Sequence, residues 1–276
     1  MMSAMQAKKP QYEIYTSMMD AEIKQVRQLL GTSLDKDASR GAVLEELFRR
    51  APQFSKTLSI HIYAEEYFWL RTGANIVFPA STALLDALHT TPFDKRSADA
   101  FRLPFQSFMI SIPSGYKIDG LRIPSFLVTC IPYHQTQELI TSPFARLANQ
   151  QKGIFIRLED SPPDDVSISI AYRDPIGPAA YARTHISTRH IPELLGVEMD
   201  VESREQIKRY PNYQDVSDLS EHDMQIQKAM LRLVIGLGAH TLSEKVAFSA
   251  GFPGDREPKM IGRLPATFNG LTLSLK

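Results

Sequence analysis

Histidine and a hydroxyl residue stand two apart at His134–Thr136 ("HQT") and again at His185–Ser187 ("HIS"). On an extended strand that spacing points both side chains to one face. Each motif therefore pairs an imidazole, suited to proton transfer, with a neighbouring hydroxyl. Arg183 and Arg189 flank the second motif, where a guanidinium would steady developing negative charge. His89 in "HTT" fits the same rule, so the pattern is not selective. His61 and Glu65 in "HIYAE" lie one helical turn apart, a spacing that suits two metal ligands or an ordinary surface pair. The sequence shows no third ligand for them, and no motif in it calls for a metal or a cofactor. Cys130 is the sole cysteine. It would be a nucleophile if a histidine activated it, but its neighbours Val128 and Ile131 suggest a small buried hydrophobe.

The two H-x-[ST] motifs resemble the paired motif of the 2H phosphoesterases. That resemblance implies that one of His134 and His185 acts as general base and the other as general acid. Thr136 and Ser187 would then hold phosphate oxygens. The first motif lies just beyond Pro132, at the end of a strand, and the second follows a stretch rich in proline and glycine. Other signatures are missing from the sequence. There is no phosphate-binding G-x-x-x-x-G-K-[ST] loop, no G-x-S-x-G elbow and no H-E-x-x-H. "GLGAHT" (236–241) closes a helix and lacks the third glycine of a dinucleotide fingerprint.

A short theme recurs in "RLPFQSF" (102–108), "RIPSF" (122–126) and "RLPATF" (263–268). It offers Arg102, Arg122 and Arg263 as binding residues if a sheet rim presents them together. It equally describes a proline at the start of a strand with a solvated arginine before it. The proline-rich stretches 174–192 and 251–265 are natural contact loops, with Tyr181, Phe252 and Phe268 as anchors, although burial is the commoner fate of an aromatic.

Helices, then strands, then a helix, without regular β-α alternation, predict an α+β fold: a helical N-terminal third, a largely antiparallel sheet in the middle and a long C-terminal helix. Residues 1–12 read as a flexible arm and 13–276 as one globular domain. That domain divides into a helical part (13–95), a sheet part (101–173), then loops and a long helix (174–276). Helices are expected over 20–30, with Ile23, Val26, Leu29 and Leu30 on one face, and after Asp37 or Ser39, with Val43, Leu44, Leu47 and Phe48 as the stripe. Two more follow, in "SKTLSIHIYAEEYFWLRTG" and over 79–89 with Pro79 in its first turn.

"PFQSFMISIP" alternates, with Phe105, Ser107, Met109 and Ser111 facing one way and Gln106, Phe108, Ile110 and Ile112 the other. Both sides are partly apolar, which predicts a strand covered on both faces. "KIDGLRI" is a hairpin turn by its Asp-Gly. Strands follow at 125–133, 153–159 and 166–172, with a helix at 142–151. Ser220 and Asp223 open the long helix, and Gly236 and Gly238 weaken its end. The tail is loop-like with one closing strand.

The helical start, then "FWLRTGANIVFP", then "LPFQSFMISIP" resembles some uncharacterised phage and bacterial proteins that carry an "LP-[FY]-x-x-F" strand after a helical region. The resemblance implies a phage or mobile-element origin and no activity.

Composition narrows the function classes. The 276 residues balance 31 Lys+Arg against 31 Asp+Glu, so nucleic acid is not indicated as a partner. The single cysteine allows no internal disulfide, and the N-terminus lacks the apolar core of a secretory signal. No apolar run approaches the ~20 residues that span a bilayer. The sequence alone therefore points to a cytoplasmic, non-catalytic binding or regulatory protein whose partner is another protein, with a 2H-like phosphodiester-cleaving enzyme as the alternative.

Overall fold

The computed structural model describes residues 11–31, 35, 38–50, 60–92, 101–132, 166–173, 181–187, 221–254 and 257–276. The chain is α+β, but its main sheet is mixed rather than largely antiparallel. Seven strands lie in the order β8-β7-β6-β3-β2-β11-β9. These are β2 (Asn75–Pro79), β3 (Ser107–Ile110), β6 (Phe126–Pro132), β7 (Val166–Arg173), β8 (Tyr181–Ser187), β9 (Val246–Ala250) and β11 (Asn269–Leu275). The middle of the chain supplies the antiparallel run β3-β6-β7-β8. Parallel pairing enters where β2 joins β3 on one side and β11 on the other. The cause is that "NIVFP", inside the part expected to be helical, is a strand. All five residues are buried, so it shows none of the alternation by which a half-exposed strand is recognised.

Two further pairs complete the strands among the described residues. β1 (Gln11–Glu13) runs parallel to β10 (Lys259–Ile261), and β4 (Lys117–Ile118) forms a hairpin with β5 (Leu121–Arg122). The hairpin turns at Asp119 and Gly120, both at positive φ, as Asp-Gly predicts. Gln11 and Tyr12 sit at the end of the segment read as an arm. Tyr12 is buried, and its hydroxyl donates to the Pro79 carbonyl at 2.6 Å.

Five helices are described: α1 (Met18–Leu30), α2 (Arg40–Arg49), α3 (Ile60–Arg71), α4 (Thr82–His89) and α5 (Glu221–Leu242). Ser17 caps α1 by accepting the Asp20 N–H, and Gly31 ends it at positive φ. The α1 stripe is narrower than expected, since Val26 and Leu30 are buried but Leu29 is exposed. Ser39 accepts the Ala42 N–H at the start of α2, which buries Val43, Leu44 and Leu47 completely. Pro79 ends β2 instead of opening a helix; α4 starts beyond Ser81, whose hydroxyl accepts the Leu84 N–H. α5 runs on through Gly236 and Gly238 to Leu242, so those glycines do not end it.

The helices cover both sheet faces. α4 and α5 pack over one, burying Val77, Phe108, Ile110, Phe126, Val128 and Ile170. On the other, Ile76, Phe78, Met109, Leu127 and Ala171 pack with Tyr12, Tyr15 and Trp69. α1, α2 and α3 add a small helical core beside it, built on Val26, Leu44, Leu47, Ile62 and Tyr63. β3 is thus scaffold, covered on both faces, with Phe108 and Ile110 on the α4–α5 side and Met109 on the other. Phe105 departs from the expected alternation. It precedes the strand and packs on the Phe108 side, 6.1 Å ring to ring.

The part read as loops and a long helix (174–276) holds β8, β9, β10 and β11 as well as α5. The helix expected at 142–151 and the strand expected at 153–159 lie outside the described residues. Among the described residues no helix is long and apolar enough to cross a membrane.

Candidate functional site

His134 and Thr136 lie outside the described residues, as do His190 and Arg189. His185 and Ser187 both belong to β8, where His185 pairs with Ser169 and Ser187 with Ser167. The ladder continues inward: Ser169 faces Thr129 on β6, and Thr129 faces Ser107 on β3. Four neighbouring strands therefore align Ser107, Thr129, Ser169 and His185 in one polar row. Ser107, Thr129 and Ser169 are buried, with the Ser107 and Thr129 hydroxyls 3.4 Å apart. Period-2 spacing puts Ser107, Thr129 and Ser169 on the face of Met109, Leu127 and Ala171, the face over which α3 packs.

α3 brings Glu65 and Glu66 to that side of the molecule, and both are buried. Glu65 is thus not the exposed member of a surface pair, because Trp69, one turn later on the same stripe, packs into the sheet-side core. Among the described residues no three His, Cys, Asp or Glu side chains gather closely enough to hold a metal ion.

Glu66 has a structural task. Its carboxylate accepts the Tyr15 hydroxyl (2.8 Å), the Ser17 hydroxyl (2.6 Å) and the backbone N–H groups of Met18 (2.6 Å) and Met19 (3.2 Å). Those N–H groups are orphan donors of the first turn of α1, so α3 caps α1 from outside. Burial pushes the Glu66 carboxyl up, while its four donors pull the other way. Tyr15 is held well above the ordinary tyrosine range by burial, then by Glu66. The signal in the sequence was a carboxylate pair inside the otherwise apolar "HIYAEEYFWL".

Other candidates are absorbed by packing. Cys130 belongs to the core under α5, and burial pushes its thiol up to about 12. His89, the third histidine of the H-x-[ST] pattern, closes α4, where burial pulls its imidazole down. Tyr181 opens β8 and is half-buried, with its ring edge-on to Tyr15 at 6.2 Å and the Arg173 guanidinium 5.9 Å above it.

The three arginines divide. Arg122 donates to Glu13 at 2.5 Å, and the Glu13 carbonyl accepts the hydroxyls of Ser111 and Ser125 at 2.6 and 2.7 Å. That network ties β5, the end of β3 and the start of β6 to β1. Arg263, exposed, follows β10, the strand paired with β1. Arg102 lies away from both. Its guanidinium donates to the Phe101 carbonyl at 2.6 Å, and Phe101 packs in the α4–α5 core.

Around β10 the chain builds its most distinctive surface. Phe252 packs edge-on against buried Phe78 at 5.2 Å, and Phe268 lies beside Phe252 at 6.2 Å. Phe78 in turn meets Tyr12 at 5.6 Å, so the outer rings stand on a stack fixed within the sheet. Phe252 and Phe268 remain half-buried, and Met260 and Leu264 pack beside them. Ile261 is 44% exposed, with exposed Lys259 and Arg263 on either side. Gly262 permits the close approach at this corner. Its φ is +116°, and a Cβ there would lie 3.0 Å from Ile14.

Comparison with protein families, curated proteins and solved structures finds no match to this chain.

Proposed function

We propose that this chain works by binding another protein, as a regulator, inhibitor or assembly component of the cytoplasm, and not by catalysis. The contact is the ribbon edge at β10, with Phe252 and Phe268 on its Met260 side, Ile261 on the other and exposed Arg263 just beyond it. One observation carries this reading: the Phe252–Phe268 pair is half-open yet stands on a buried ring, Phe78. Aromatic side chains with fixed rotamers lose little entropy on binding, and a charged rim is the usual border of such a patch. Lys259 and Arg263 favour an acidic border on the partner. Replacing Ile261 by Asp and Arg263 by Glu should abolish partner binding while leaving the melting temperature unchanged, because both side chains are exposed.

A second reading keeps a specific observation. His185 and Ser187 stand two apart within a strand, and the row of His185 includes the buried hydroxyls of Ser107, Thr129 and Ser169. That placement supports a 2H-like phosphodiester-cleaving enzyme using His134, Thr136, His185 and Ser187. Turnover of a cyclic phosphodiester, lost in both His134→Ala and His185→Ala, would favour it over the binding reading.

A further inference from the structure

The seven-stranded sheet ends, among the described residues, at β8 on one side and β9 on the other. The ladder of β9 shows which of its backbone groups are spent. Lys276 N–H donates to the Lys245 carbonyl, and Gly251 N–H donates to the Gly270 carbonyl, both across to β11. Bonded pairs recur every second residue in an antiparallel ladder, so Ala247 and Ser249 also turn toward β11. Val246, Phe248 and Ala250 therefore direct their N–H and C=O groups away from the sheet. No strand among the described residues takes them up. Ser249 and Ala250 are exposed, and Phe248, half-buried, packs edge-on against Phe105 at 6.0 Å.

Natural edges are normally blunted by proline, inward charge or a bulge, because an open edge templates further pairing. "VAFSA" contains no proline, no charge and no glycine. From this ladder, open among the described residues although Val246 itself is buried, we infer that β9 pairs with β9 of a second copy of this chain, antiparallel about Phe248.

The register favours a second copy over an unrelated strand. Centred on Phe248, the pairing sets Val246 against Ala250 and Phe248 against its own counterpart. All three outward residues of each strand then give one N–H and accept at one C=O. Two Phe248 rings stand opposite each other on one face, an arrangement that stabilises antiparallel pairs. The nearest charge, Lys245, falls opposite the neutral Gly251, so like charges do not meet. Zero formal net charge removes the long-range repulsion that keeps highly charged chains apart. Leu275, paired with Val246 and 52% exposed, extends the apolar strip on the Phe248 side.

The test is the solution mass of the full chain by light scattering over a concentration series, with Ala250→Pro and Ala250→Lys beside it. Proline at 250 removes one outward donor and no bond to β11; lysine sets a charge opposite Val246 of the other copy. The expected result is a doubled mass for the native chain and the monomer mass for folded variants, with folding checked by far-ultraviolet circular dichroism. Should proline disturb the strand, the exposed lysine variant decides alone. A native chain that stays monomeric at submillimolar concentration overturns the inference, whatever else binds that edge. So does a dimer that both variants leave intact.

Discussion

The carboxylate of Glu66 holds the hydroxyl of Ser17 at 2.6 Å, and through it the start of α1. Two helices far apart in sequence are joined there by one buried carboxyl group. Because burial raises the Glu66 carboxyl in the folded chain, its contribution to stability is full at acid pH. It declines as pH rises from the ordinary carboxylate value, about 4.3, through the raised one, and is level beyond it. Urea midpoints of the native chain and Glu66→Gln between pH 4 and 8 check the sign. The native chain should lose stability relative to the variant as pH rises, and a constant difference would contradict it. Glu66→Ala, which strands four donors, should cost at least about 2 kcal/mol at any pH in that range.

Gly236 presses against α4. A Cβ at that position would stand 2.0 Å from the Leu88 carbonyl oxygen, a contact that requires the two helices to separate. Alanine is the better helix former by about 1 kcal/mol, yet overpacking costs about 1–3 kcal/mol or more, so packing decides. Gly236→Ala should lower the thermal midpoint. Gly238→Ala, which meets the Phe101 ring at 2.6 Å, should cost less because a side chain yields more easily than backbone. An unchanged midpoint for Gly236→Ala would contradict this close α4–α5 contact.

Cys130 should be inert. With its thiol pushed up to about 12 by burial, the reactive thiolate is scarce at pH 8. A thiol reagent should label the native chain far more slowly than the chain in urea, and equal rates would place the side chain at the surface.

The parts of the fold that alternate, or that carry a cap, were legible in the sequence. The Asp119–Gly120 turn and the two-faced strand around Phe108 follow from spacing alone, and of Asp37 and Ser39, both open in the sequence, Ser39 accepts the Ala42 N–H at the start of α2. β2 was hidden because five consecutive buried residues have no period, and with it went the parallel half of the sheet. Gly236 misled for a different reason: its propensity weakens a helix in isolation, whereas here the missing Cβ lets two helices touch. At the candidate surface, Phe252 and Phe268 could be named from their loops, but their support by Phe78 requires β2 to be placed first. The capping role of Glu66 depends on a partner almost fifty positions away, which no local pattern reveals.

Protein binding at the β10 surface is tested most directly by recovery of partner from the cell in which the chain is native. The unaltered chain is compared with Ile261→Asp/Arg263→Glu at equal expression. A protein should be recovered in near-stoichiometric amount with the unaltered chain and at least about tenfold less with the variant, a loss of ~1.4 kcal/mol or more. Recovery of the same partner in equal amount by both would contradict it, and would move the contact away from the Phe252–Phe268 surface.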